Sequence, residues 1–189
     1  MSKPLGSLNI TLIRHANTTK AAAGQHDNTR ILTDKGLEQS EALKRKLEGY
    51  DFDIVFASSS TRTQQTATVA FGEREIILLD ELYLPSIGSD YEACDVQFND
   101  LGYKPPVAYF EDPRYQGWLH RYSLAAAAKI MDEVIKREAS SIGVVSHAVC
   151  GNGVAACLDP RYADALLNQI SLNEAGCCML GDNGLTILN

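Results

Sequence analysis

Asp53-Ile54-Val55-Phe56-Ala57-Ser58-Ser59-Ser60-Thr61-Arg62, residues 53–62, is the stretch that decides the fold class. Its first half is a nearly continuous apolar run with no alternation. A strand reads this way when both faces of its sheet are covered. Its second half is a run of small hydroxyl residues, after which a helix is expected from near Thr61 to Val69 or Ala70. Residues 142–146 repeat the pattern of a continuous apolar run bounded by polar residues. Shorter segments at 8–13, 75–79, 176–180 and 185–188 complete six predicted strands.

Helical signals fall between them. Thr33 is a good N-cap for a helix running to about Leu47, with Leu37, Leu43 and Leu47 inward and Gly49 just past its end. Trp118, Tyr122, Ala126, Ile130 and Val134 recur every four residues along a longer helix over 118–137. A further helix is expected after Asp159-Pro160, with Pro160 in its first turn. Cys150-Gly151-Asn152-Gly153 reads as the tight start of the helix after the fourth strand. Strands alternating with helices predict a three-layer α/β/α fold with a mostly parallel central sheet and right-handed crossovers. One domain over 1–189 is expected. Residues 86–117, rich in Pro, Gly and aromatics, form an inserted loop or cap over the site.

Composition narrows the function. The chain has 189 residues, 45% hydrophobic and 22% charged, as in an ordinary globular protein. No apolar run approaches the ~18 residues that span a bilayer. The first residues hold no stretch of signal-peptide length, so a cytoplasmic location is expected. The five cysteines are odd in number, and Cys177 and Cys178 point to opposite faces of one strand, which suits reduced core thiols. A net charge of −7 argues against nucleic acid, which needs many phosphate contacts, and leaves a small phosphorylated molecule or a phosphoprotein as partner.

The strand ends carry the chemistry. The first delivers Arg14 and His15, the second Ser58 to Arg62, the third Asp80 and Glu81, and the 142–146 strand His147. If these strands are parallel, two Arg, two His and two carboxylates meet at one sheet edge. Guanidiniums match phosphate oxygens bidentately, and an anion relieves the like-charge repulsion of such a cluster.

These residues resemble the histidine phosphatase superfamily, of phosphoglycerate mutase-like fold. Arg14-His15-Ala16 is similar to its Arg-His-Gly signature. Leu32-Thr33-Asp34-Lys35-Gly36-Leu37-Glu38-Gln39-Ser40 is similar to its Leu-Thr-x-x-Gly-x-x-Gln-Ala. Ser59-Ser60-Thr61-Arg62-Thr63-Gln64-Gln65-Thr66-Ala67 is similar to its Ser-Pro-x-x-Arg-Ala-x-Gln-Thr-Ala, and Val144-Val145-Ser146-His147-Ala148 to its second histidine motif. Ala16 and Ala148 stand where Gly is usual. An Ala after Arg-His also occurs in the short SixA-type phosphohistidine phosphatases, the subgroup this chain resembles most.

The resemblance implies roles. His15 is the nucleophile and forms a phosphohistidine. Arg14, Arg62 and His147 hold the phosphoryl oxygens, with Asn17 and Thr18 as further substrate contacts. Glu81 is the general acid, with Asp80 its competitor. No metal and no cofactor are implied. A phosphoglycerate mutase-like phosphotransferase and a catalytically silent phosphate-binding domain are the alternative readings.

Overall fold

A computed structural model of the protein describes residues 8–83 and 105–188. All six strands form: β1 Asn9–Arg14, β2 Ile54–Ser58, β3 Ile76–Leu79, β4 Ser141–Ser146, β5 Cys177–Gly181 and β6 Gly184–Leu188. The helices are α1 Asp34–Lys46, α2 Thr61–Phe71, α3 Pro106–Glu111, α4 Gln116–Lys136 and α5 Ala148–Leu158. The sheet order is β3-β2-β4-β1-β5-β6. The first four are mutually parallel, while β5 runs antiparallel to β1 and to β6. The fold is therefore mixed α/β with a mostly parallel sheet between helical layers.

The apolar runs of β1, β2 and β4 lack alternation because each strand feeds two cores. Ile10, Leu12, Phe56, Ile142 and Val144 pack on one face with Ala126, Ile130 and Val134 of α4 and Val154 of α5. Ile13, Val55, Ala57 and Val145 pack on the other with Leu43 and Leu47 and with Ala67, Ala70 and Phe71 of α2. Cys178 joins the first core and Cys177 the second, so the two thiols do point to opposite faces. Phe56 is fully buried at the centre, and truncating such a ring to Ala costs about 3–5 kcal/mol. Among the described residues no helix is long and apolar enough to cross a membrane.

Thr33 caps α1 as its sequence predicts, its side chain accepting from the Gly36 N–H at 3.1 Å. Gly49 follows that helix with a φ of 87°, in the left-handed region that glycine adopts without strain. Leu37, expected inward, is instead exposed, because the buried face of α1 is Gly36, Ser40 and Leu43. On α4 the fully buried positions include Leu119, Ser123 and Ala127 as well as the expected stripe, while Tyr122 is only half-buried. The insert lies largely outside the described residues. Its described end, 105–117, holds α3 and the start of α4.

Near the C-terminus one expectation is corrected and one is met with a change of helix type. Cys150 to Gly153 lie inside α5 rather than at its tight start. Their glycines serve packing: a Cβ on Gly151 would meet Leu12 Cδ1 at 2.9 Å, and one on Gly153 would meet Phe110 Cζ at 2.3 Å. The helix expected after Pro160 forms as one continuous run over 160–169, with Pro160 in its first turn, but it starts as a 3-10 turn, Pro160–Tyr162, and ends as a π turn, Ala165–Gln169. The Ile170 N–H bonds to Ala165 O, and buried Asn152 Nδ2 takes Leu166 O at 2.6 Å and Ile170 O at 2.8 Å. A carbonyl that a regular helix would satisfy internally is thus satisfied by a side chain from α5.

Candidate active site

Parallel pairing brings the strand ends together. Arg14 on β1 lies level with Ser146 on β4, and Ser58 on β2 with Leu79 on β3. The loop after β1 is stitched in place from three sides. The His15 N–H bonds to Ser146 O at 3.0 Å, and the Ala175 N–H to His15 O at 3.2 Å. The Ala16 N–H bonds to Thr66 Oγ1 at 3.1 Å, and that hydroxyl donates onward to Arg62 O at 2.7 Å.

His15 Nδ1 lies 2.8 Å from Ala16 O. A carbonyl only accepts, so Nδ1 carries the hydrogen and the lone pair is left on Nε2. Burial pushes the His15 pKa down to about 3, and the charges of Arg62, Arg14 and Arg30 push the same way against the Ala16 hydrogen bond. The ring is therefore neutral throughout the physiological range. The His147 ring stands 5.0 Å from it, centroid to centroid, at 61°. Burial, then Arg62 and His15, hold the His147 pKa well below the usual imidazole value.

Arg62 enters from the first turn of α2 and is 3% exposed. Its Nη1 donates to Asp27 O at 2.6 Å and its Nη2 to Asp27 Oδ2 at 2.8 Å. Nη2 also faces His147 Nδ1 at 3.4 Å, which assigns that nitrogen as an acceptor and puts the ring hydrogen on Nε2. His147 Nε2 lies 2.9 Å from Ser58 Oγ, itself linked to Ser60 and Thr63 in a buried hydroxyl network. Arg14 Nη1 donates to Leu172 O at 2.8 Å. The Nε–H groups of Arg14 and Arg62 are both buried with no hydrogen-bond partner among the described residues. Two buried, unsatisfied cationic donors beside an unprotonated imidazole nitrogen suit an oxyanion that accepts from the guanidiniums while the imidazole attacks its centre.

The other sequence-predicted residues sit as follows. Asn17 is engaged by the scaffold: its Nδ2 donates to Glu174 Oε1 at 2.9 Å, and its Oδ1 accepts from Thr33 Oγ1 at 2.6 Å. Thr18 Oγ1 accepts from Arg30 Nη2. Glu81 lies in the 3-10 turn Asp80–Leu82, its Oε1 paired with Lys129 Nζ of α4 at 2.6 Å, while its Oε2 is buried without a partner among the described residues. Asp80 is exposed in the same turn. Gln39 and Gln65 hold loop N–H groups, those of Asn17 and Leu32, each at 2.8 Å.

Sequence reasoning missed Asp27, Arg30 and Tyr83. Asp27 pairs with Arg30 Nη1 at 2.9 Å as well as with Arg62. Burial raises its pKa, but Arg62, Tyr83 and Arg30 outweigh that and bring it down to about 2. The Tyr83 hydroxyl donates to Asp27 Oδ2, its ring lies 4.3 Å from that of His147, and the Arg62 guanidinium lies 5.0 Å from its centroid. The signal was present: Asp27-Asn28-Thr29-Arg30 is an acid–base pair three residues apart, directly ahead of the Leu32-Thr33 helix start.

Residues 10–180 match the sequence model of the Histidine phosphatase superfamily (branch 1). No curated protein sequence matches the chain significantly. Among solved structures, the chain is similar to phosphoserine phosphatase from Entamoeba histolytica in complex with 3-phosphoglyceric acid (20% identity, TM-score 0.65, 96% of this chain and 95% of that one). It is similar to the alpha-ribazole phosphatase from Shigella flexneri (19% identity, TM-score 0.63, 96% and 95%). It is also similar to the protein histidine phosphatase SixA complexed with tungstate (16% identity, TM-score 0.63, 96% and 95%). At these identities the likeness concerns the fold.

Proposed function

The chain belongs to the histidine phosphatase superfamily (branch 1), and on that premise we propose that it is a cytoplasmic, metal-independent phosphatase acting through a phosphohistidine on His15. The observation that carries this reading is the fixed, uncharged His15: Nδ1–H is spent on Ala16 O, and Nε2 is left unprotonated beside Arg14 and Arg62. Residues 1–189 act as one catalytic domain.

In the first step His15 Nε2 attacks phosphorus in line. The N–P bond forms as the bond from phosphorus to the leaving group breaks. Arg14 and Arg62 hold the phosphoryl oxygens, joined by His147 as its Nε2–H passes from Ser58 Oγ to the substrate, and the helix starts of α2 and α5 add N–H dipoles at the same sheet edge. Glu81 gives the leaving group its proton. In the second step water attacks phosphorus, loses a proton to Glu81 and releases phosphate and free His15. Asn17 and Thr18 bound the site on the nucleophile's own loop.

The Lys129–Glu81 pair favours one refinement. Glu81 Oε1 is taken up by the Lys129 ammonium at 2.6 Å, so only Oε2 is left to meet a leaving group. A leaving group that needs little protonation, such as that of a phosphoramidate, fits this arrangement better than an alkoxide. The deciding experiment is hydrolysis of p-nitrophenyl phosphate by wild type and His15→Ala. Wild-type turnover that vanishes in the variant supports the reading, and equal turnover removes His15 from the mechanism.

A further inference from the structure

Asp27 has no part in the steps above, yet it contacts the site's most buried guanidinium with two different groups. Its main-chain carbonyl takes Arg62 Nη1 at 2.6 Å, and its carboxylate takes Arg62 Nη2 at 2.8 Å. A buried guanidinium gripped at both terminal nitrogens cannot rotate. What it can still offer is Nε–H, which has no partner among the described residues, and the second hydrogen of Nη1.

The carboxylate is itself held. Oδ1 accepts from Arg30 Nη1 at 2.9 Å, and Oδ2 also accepts from the Tyr83 hydroxyl. Arg30 is anchored in turn, Nε to Thr19 O at 2.6 Å and Nη2 to Thr18 Oγ1. Tyr83 has only 4% of its surface exposed and packs against both the Arg62 guanidinium and the His147 ring. The carboxylate also sets the local charge. With both histidines neutral, Arg14, Arg30 and Arg62 against Asp27 leave two positive charges, which a phosphoryl dianion cancels.

We infer that Asp27 is the positioning residue of the phosphoryl site: it fixes Arg62 in the orientation that meets the transferring group, and Arg30 and Tyr83 fix Asp27. The inference rests on the role proposed for Arg62. A competing role is a plug, in which the Asp27 carboxylate occupies Arg62 until phosphate displaces it. The carbonyl contact weighs against a plug, because it grips Arg62 without competing as an anion.

The two roles predict opposite signs for Asp27→Asn. That change keeps the shape and adds one net positive charge to the site. A plug predicts tighter orthovanadate inhibition and faster turnover. Positioning predicts a kcat loss of about 100-fold, the effect of roughly 1 Å of misplacement. Because Asp27 acts through Arg62, the same change in an Arg62→Lys background costs less than about threefold, a strongly non-additive cycle. A rate within about threefold of wild type, a faster enzyme, or equal losses in both backgrounds overturns the inference. If Asp27→Asn does not fold, Tyr83→Phe carries the test. Loss of one charge-assisted hydrogen bond should slow turnover about tenfold, and an unchanged rate overturns it. Wild type must first show His15-dependent hydrolysis; without it the phosphatase reading fails, whereas an active wild type with an active Asp27→Asn removes this inference alone.

Discussion

Replacing His15 by Ala should flatten the acid side of the stability curve. In the folded protein His15 has its pKa lowered from 6.5 to about 3. A proton that the unfolded chain takes up near pH 6.5 is thus refused by the folded one. The sign follows from that difference. The unfolded state binds more protons in this window, so stability falls as the pH falls. Integrated from pH 7.5 down to 5.5, the loss from His15 alone is about 1.4 kcal/mol. His147, also depressed, works in the same direction but remains in the variant. Asp27, lowered from 3.8 to about 2, loses its contribution only at more acid pH. The cavity left by His15→Ala is the same at both pH values and cancels. Urea unfolding of both proteins at pH 7.5 and 5.5 reads the effect as midpoint shifts at constant m. Wild type should lose about 1.4 kcal/mol more than the variant over this interval. Equal losses would mean that His15 titrates normally, and the argument for a neutral nucleophile would fail with it.

Other substitutions test other parts of the site. Arg62→Ala removes the proposed oxyanion donor and should lower kcat by about 10²–10³-fold, and by stranding Asp27 it should cost about 1–3 kcal/mol of stability, read by steady-state kinetics and urea unfolding. Ser58→Ala removes the hydroxyl at His147 Nε2, and about 1 kcal/mol of lost orientation should slow turnover several-fold at unchanged fold. Gly36→Ala puts a Cβ 2.1 Å from Asn17 O and should cost about 1–3 kcal/mol in urea unfolding, since a main-chain atom must move. Glu81→Gln should slow an alkyl phosphate by about 10²–10⁴-fold and leave a phosphoramidate substrate nearly untouched; equal slowing of both contradicts the leaving-group argument.

Much of this architecture is written in local patterns. The unbroken apolar runs of β2 and β4 announce strands buried on both faces, and Thr33 announces the start of α1. Arg14, His15, Arg62 and His147 are legible because each follows such a run, and parallel pairing then brings them to one edge. What stays hidden depends on partners distant in the chain. Leu37 looks inward by spacing, but the approach of Asn17 O to Gly36 turns the helix so that Leu37 faces outward. Gly151 and Gly153 look like turn residues, yet they are the places where Leu12 and Phe110 press against α5. The helix after Pro160 ends in a π turn where Asn152, in another helix, donates to its Leu166 carbonyl. Asp27 escapes a reading of strand ends for the same reason. It lies in a short turn between elements, and only the folded chain brings it to Arg62.

His15 is the residue proposed to carry the phosphoryl group. The most direct test of that role is rapid-quench trapping with a substrate labelled in the phosphoryl group, followed by peptide mapping at alkaline pH. An acid-labile phosphoryl adduct is expected on the peptide holding Arg14-His15-Ala16, formed and lost at rates compatible with turnover and absent from His15→Ala. Turnover with no adduct on that peptide, or an adduct that persists in His15→Ala, contradicts it.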